Sequence, residues 1–153
     1  MDDDDSGLLL LCRVQALRCA LPVDCVLETM RLLPVDPLPG TPPFLLGLSL
    51  IRGQPVPVVD AARLLDVEAA GAARLVLLKT GERRVALLVD DVLGIRAFPY
   101  GVLHELPPLF KEPATGIVSA IGNLDASLLV VLQGARLVPL DVWARLDAVR
   151  EGA

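Results

Sequence analysis

The sequence predicts a mainly β fold made of two similar lobes, and three observations point there. Apolar runs of five to eight residues recur between turn signals, a spacing that suits strands better than long helices. RCALPVDCVL at residues 18 to 27 returns as RVALLVDDVL at 84 to 93, with seven of ten positions identical. VVDAARLL at 58 to 65 returns as VLQGARLV at 131 to 138, keeping Ala62/Ala135, Arg63/Arg136 and Leu64/Leu137. The two separations, 66 and 73 residues, differ by what a loop insertion supplies, so the chain reads as a duplicated all-β unit. A unit of about 70 residues is of a size that closes into a small barrel or sandwich. Two β lobes with a groove or shared core between them are therefore expected.

Taken in order, strands are expected at Leu8–Val14, Arg18–Pro22 and Val26–Leu33, the first two joined by a short turn. PVDPLPGTPP at 34 to 43 is too rich in proline for regular structure and reads as a stiff connector. One helical turn at Phe44–Leu46 and strands at Leu48–Ile51 and Gln54–Val59 follow. Asp60 stands at the N-cap of a short helix over AARLL. Further strands are expected near Leu75–Leu78, Arg84–Val89, Val92–Phe98, Ile117–Ile121 and Ser127–Leu132. VPLDVWARLDAVRE at 138 to 151 reads as an amphipathic helix with Leu140, Trp143, Ala144 and Leu146 on one side. The expected organisation is a disordered acidic tail over 1–7, one domain over 8–148 and a short tail over 149–153.

Of the 153 residues, 54% are hydrophobic but only 3% aromatic, so Leu and Val must make the core. The longest apolar runs, LLLLC and SLLVVL, are strand-sized and far short of the roughly 18 to 20 residues a membrane span needs. No direct membrane insertion is expected. MDDDDSG is acidic rather than basic and does not read as a secretory signal, which places the chain in the cytoplasm, with surplus apolar surface for a partner. A net charge of −5 leaves no basic stripe for nucleic acid.

Chemistry is poorly supported. Cys12, Cys19 and Cys25 lack the C-x-x-C spacing of a redox or zinc site and read as small buried hydrophobes, so no metal or cofactor is expected. His104, followed by Glu105 and two prolines, sits in a loop-like segment, and nothing local brings Ser119, Ser127 or Cys25 to it. No phosphate-cradling glycine motif is present. Asp90 and Asp91 could pair as carboxylates, but the repeat puts Asp24 and Cys25 in their places, a pattern that suits a structural Asp at a strand end. Asp2 to Asp5 read as a solvated charge run without the ligand spacing of a calcium loop.

GLSLIRGQPVPVVD at 47 to 60 reads instead as a recognition element. Pro55 and Pro57 remove ladder donors on one side, which places their strand at an edge or beside a bulge. Arg52, followed by Gly53, projects a five-donor fork from a turn. Two partners fit it: a carboxylate on another protein, or one on the other lobe in an internal salt bridge.

GLSLIRGQPVPVVDAARLL, with ALPVDCVLE upstream and VALLVDDVLG downstream, resembles the CheW family of coupling proteins in bacterial chemotaxis arrays. The resemblance spans roughly 8 to 148, and Gly47, Arg52, Gly53, Pro57, Val58, Asp60, Val89, Asp90 and Val92 match the family pattern. It implies two five-stranded β barrels around a common hydrophobic core, with strands that can be exchanged between lobes. It also implies an adaptor without catalysis, bridging the cytoplasmic tip of a transmembrane chemoreceptor and the regulatory domain of a CheA-type histidine kinase, and recruited to membrane receptor arrays. Carried over by position, Val26, Glu28, Leu50, Ile51, Arg52 and Gly53 would contact partners, with Val26 as an apolar contact and Glu28 and Arg52 as charge pairs that set orientation. Gly47, Asp60 and Asp90 would be structural.

Two departures stand out. Leu50-Ile51 replaces the family's Asn-Leu before the turn arginine, and Gln133-Gly134 replaces an acidic and an apolar residue near the end. A polar-to-apolar change in a recognition turn retunes the partner. The alternatives are therefore an interaction module of this fold serving motility, development or another kinase pathway, and a ligand-binding barrel that uses the groove between lobes.

Overall fold

The computed structural model describes residues 6–68, 71, 74–99, 118–124, 127–132 and 136–152. His104, Glu105, Gln133 and Gly134 lie outside them. Ten strands follow one another: β1 Ser6–Val14, β2 Leu17–Pro22, β3 Val26–Arg31, β4 Leu45–Ile51, β5 Gln54–Asp60, β6 Arg74–Thr80, β7 Arg83–Val89, β8 Asp91–Pro99, β9 Val118–Leu124 and β10 Ser127–Leu132. Two helices complete them, α1 Ala61–Leu64 and α2 Leu140–Gly152. The strands form two five-stranded sheets, in the orders β8-β1-β2-β10-β9 (lobe A) and β3-β6-β7-β5-β4 (lobe B). The expected mainly β, two-lobe architecture is observed. Neither sheet is closed by a ladder between its outer strands among the described residues.

The two orders are the same order. Each strand of the first half maps onto its counterpart in the second, but the first hairpin of each half pairs with the last three strands of the other half. Ladder registers agree in detail. Val131 lies opposite Ala20 as Val58 lies opposite Ala86, and Val92 lies opposite Cys12 as Val26 lies opposite Leu78. Both β8 and β3 then shift register by one residue, so Leu93 and Leu27 sit at equivalent bulges and are both exposed. The expectation that each unit closes on itself is corrected by this exchange: lobe B takes three strands from the first unit and two from the second.

Side-chain alternation explains why the chain is so apolar. Leu9, Leu11, Ala20, Leu129 and Val131 point into lobe A, while Leu10, Cys12, Val14, Cys19, Leu21, Val130 and Leu132 point into a core shared with lobe B. Lobe B does the same with Leu75, Leu77, Ala86 and Leu88 on one face and Val76, Leu78, Val85 and Leu87 on the other. Strands buried on both faces read as continuous apolar runs. Cys12 and Cys19 are cross-strand neighbours in the shared core, and burial pushes both thiols up to about 12. No described helix is long and apolar enough to cross a membrane.

Several boundaries differ from expectation. β1 begins at Ser6, inside the expected tail, and α2 runs through the expected boundary at 148 to Gly152. Leu45 and Leu46 extend β4 rather than forming a helical turn. Among the described side chains of α2, Val142, Trp143 and Leu146 are buried, whereas Leu140 is 84% exposed and Ala144 is exposed, because helical periodicity puts 140 and 144 on the face opposite 142 and 146. Arg83 holds that helix twice, stacking 4.5 Å from the Trp143 ring centroid and pairing with Asp147 at 3.0 Å.

β5 is an interior strand rather than an edge, the β4–β5 ladder carries the bulge that was the other expectation, between Leu45 and Gly47, and the prolines cost no ladder bond. The parallel ladder to β7 begins only at Val58, and the two-residue turn before Gln54 places Pro55 and Pro57 at non-hydrogen-bonded positions opposite Leu50 and Leu48. Asp90 stitches the exchanged hairpin in place. Its Oδ2 accepts from the Gln15 amide at 2.8 Å, its own amide donates to Arg13 O at 3.0 Å, and the Arg13 guanidinium lies 3.6 Å away. Removing that acceptor leaves the half-buried Gln15 amide without its partner, so Asp90→Ala is expected to cost about 1–3 kcal/mol. Urea unfolding should show a lower midpoint with an unchanged m value.

Candidate functional site

The candidate site is built on the β4–β5 hairpin. Its two turn residues, Arg52 and Gly53, have φ of 54° and 78°, the left-handed pair that a type I′ turn needs. Gly53 adopts this conformation freely, whereas Arg52 does so against its intrinsic preference. That geometry stands the guanidinium at the tip of the hairpin, with its side chain 68% exposed.

Arg52 is not left unpaired. Its Nε donates to Glu28 Oε2 at 3.0 Å and its Nη2 to Oε1 at 2.7 Å, a bidentate fork. Glu28 lies on β3 immediately after the Leu27 bulge, so the pair joins the two outermost strands of lobe B across the seam that the ladder leaves open. Of the two partners the turn could take, the structure provides an internal one. It lies within one lobe rather than between the two.

The connector fills the rest of the seam. Asp36 exchanges both main-chain hydrogen bonds with Leu48, at 2.8 and 2.9 Å, and the Ser49 hydroxyl donates to Pro34 O at 2.8 Å. This covers the outer edge of β4. Gly47 permits the approach, since a Cβ there would lie 2.1 Å from Asp36 O. Asp60, buried at the end of β5, accepts from the Ala62 amide at 3.0 Å and caps α1.

The other sequence-selected residues separate into those on the surface and those beneath it. Leu50 is 70% exposed beside the turn, but Ile51 is 3% exposed and faces the lobe B core, so it offers a partner no side chain. Val26 is half-buried against the shared core, and the exposed apolar residue of that segment is Leu27 at the bulge. Sequence reasoning missed Leu27 because a bulge is a property of the pairing with β6. It also missed Gln54, Lys79 and Arg84, which stand around Arg52 and Glu28 at the same end of lobe B; only the strand registers bring them together.

The electrostatics follow from the fork. The hydrogen bond from Arg52 holds the Glu28 carboxyl below its ordinary value of 4.5, and the same contact raises the Arg52 guanidinium. A carboxylate with a lowered folded value contributes stability above its unfolded value and loses it as pH falls through the folded one. The pair therefore opens only in acid. Carboxyl-carbon NMR should show Glu28 titrating below 4.5, and returning towards that value in Arg52→Ala.

Comparison with known proteins follows the same lines. The CheW-like domain model matches residues 8–141. Protein FrzA of Myxococcus xanthus is 36% identical over 135 residues, covering 81% of this chain and 84% of that protein. Chemotaxis protein CheW of Klebsiella aerogenes is 23% identical over 118 residues, covering 75% and 71%. Among solved structures, the scaffolding protein TtCheW from Thermoanaerobacter tengcongensis superposes with a TM-score of 0.74 at 19% identity, covering 83% of this chain and 88% of that one, a likeness of fold. With the family model matched over most of its length and a relative 36% identical over 81% of it, the chain belongs to the CheW-like domain family.

Proposed function

We propose that this protein is a non-catalytic adaptor that couples transmembrane chemoreceptors to a CheA-type histidine kinase, binding the kinase regulatory domain and the receptor cytoplasmic tip. It would lie in the cytoplasm and be recruited to receptor arrays. The observation that carries the reading is the Arg52 turn: an exposed guanidinium held rigid by Glu28 and flanked by an exposed Leu50, in a chain whose family membership spans 8–141. A charge held in one orientation before contact loses little freedom on docking, and it selects geometry more than it adds raw affinity. Leu50 supplies adjacent apolar area, and its replacement of the family's asparagine retunes which partner surface fits.

Under this reading Arg52 and Glu28 act as a unit. Arg52→Ala and Glu28→Ala should each weaken binding of the regulatory domain by about tenfold. The double substitution should cost little more than either alone. The thermal midpoint should change little, since exposed ion pairs contribute weakly to stability. Calorimetric titration of the purified protein with the regulatory domain and the receptor tip encoded in the same genome tests this. Binding to neither by a folded protein would overturn the adaptor reading.

A further inference from the structure

The end of lobe B that carries the Arg52 turn is ringed by one polar side chain from each strand or its turn. Glu28 comes from β3, Lys79 from β6, Arg84 from β7, Gln54 from β5 and Arg52 from the β4–β5 turn. Alternation fixes this arrangement: Glu28 lies opposite Leu77, Lys79 is two residues beyond Leu77, and Arg84 is two residues before Ala86. Leu77 and Ala86 both point into the lobe. With Glu82 in the β6–β7 turn, three cations thus meet two carboxylates, at one end of a chain whose net charge is −5.

Lys79 and Arg84 are directly opposite each other in the antiparallel ladder. Like charges so placed destabilise a sheet. The Glu28 carboxylate already has both oxygens engaged by Arg52 and feels Arg84 only at longer range, and Glu82, in the turn between β6 and β7, forms no ion pair with either cation among the described residues. Among the described residues neither Lys79 nor Arg84 forms an ion pair of its own.

Lobe A carries the same pair at the same place. Arg13 lies opposite Arg18, the ladder equivalents of Lys79 and Arg84. There the chain supplies the missing charge, because the buried Asp90 carboxylate lies 3.6 Å from the Arg13 guanidinium. The equivalent of Asp90 in lobe B is Asp24, which sits exposed in the 3-10 turn Val23–Cys25 and makes no ion pair with Lys79 among the described residues. One lobe gives its cross-strand cation pair an internal carboxylate, and the other leaves it without an ion pair among the described residues.

We infer that the open end of lobe B docks an acidic segment of a partner protein, whose carboxylate sits by Lys79 and Arg84 as the Asp90 carboxylate sits by Arg13. The occupant is chosen by charge: a surplus of cations in a fixed ring, beside the exposed Leu50, on an otherwise acidic chain. The identity of that partner as the kinase regulatory domain rests on the adaptor reading; the acidic chemistry does not. Lys79 and Arg84 thereby extend the Arg52 surface and narrow which partners it accepts.

A docking role and a structural role predict opposite stability effects. Lys79→Gln relieves the cross-strand repulsion, so it should raise the thermal midpoint while weakening binding several-fold. The double reversal Lys79→Glu with Arg84→Glu should weaken binding by more than about tenfold. Arg31→Glu with Arg74→Glu, an equal change of charge at the opposite end of the β3–β6 ladder, should leave binding intact. Two titrations read these variants: hexaglutamate peptide followed by amide chemical shifts at low salt, and the CheA-type regulatory domain followed by calorimetry. Peptide-induced shifts centred on Lys79 and Arg84, lost in the reversal, support the inference. Absence of such shifts, or equal weakening by the Arg31 and Arg74 control, overturns it. Peptide shifts with binding to neither the regulatory domain nor the receptor tip would leave the acidic docking end standing and sink the adaptor reading alone.

Discussion

Burial of the central strands on both faces is the constraint on which the rest of the structure depends. Each of β1, β2, β6, β7 and β10 sends alternate side chains into its own lobe and into the shared core, so the middles of these strands admit almost no polar residue. Charged groups are driven to the strand ends, where the lobes open. Arg13, Arg18, Lys79 and Arg84 all stand next to hairpin turns for this reason. The candidate docking surface is thus a by-product of how the core is built: the rim is where polar chemistry can be placed, and the turn carrying Arg52 is part of that rim.

Hairpin exchange ties the two lobes more firmly than packing alone would. Each sheet has a central hairpin supplied by one half of the chain and both flanks supplied by the other, and Asp90 pins the β1–β2 turn to the β7–β8 junction. Departures from the internal symmetry are local and concentrated at polar positions. Asp90 is buried and bonded while Asp24 is exposed, and Glu28 occupies a ladder position that Gly94 holds in lobe A. The repeated apolar framework fixes the scaffold, and the unmatched polar residues distinguish its two ends.

Much of this scaffold was legible in the chain. The strands were readable from continuous apolar runs, and Asp60 from its place ahead of AARLL. Where legibility failed, the cause was pairing at a distance. Nothing within 18 to 27 or 84 to 93 tells which sheet its strand will join, so which strands are exchanged was hidden, although the repeat was plain and the resemblance allowed for exchange. Arg52 was singled out, but its counter-ion lies 24 residues away across a sheet seam, and a turn sequence cannot name it. Ile51 was misplaced because alternation at a hairpin end depends on register, which turns one leucine out and its neighbour in. The stripe on α2 was misread because apolar residues stand on both faces of the helix and only docking chooses between them: Val142 and Leu146 are buried, with Trp143 beside them, while Leu140 faces away. The apolar surplus, read as surface for a partner, is taken up largely by two-sided burial.

Lobe B runs without interruption from Val26 to Val89, whereas lobe A is split, with β1 and β2 made first and β8, β9 and β10 made last. As the chain leaves the ribosome, lobe B has all five of its strands once β7 has emerged, and N-terminal elements generally fold as soon as they are complete. The first hairpin must wait, with its apolar faces uncovered, through the synthesis of the whole inserted lobe. Ladders joining residues as distant as Leu10 and Ile95 close late, because the entropy of the intervening loop falls only once that segment is compact. The Arg52 turn thus belongs to the lobe whose five strands are all synthesised first, while the face it shares with the other lobe waits to be covered.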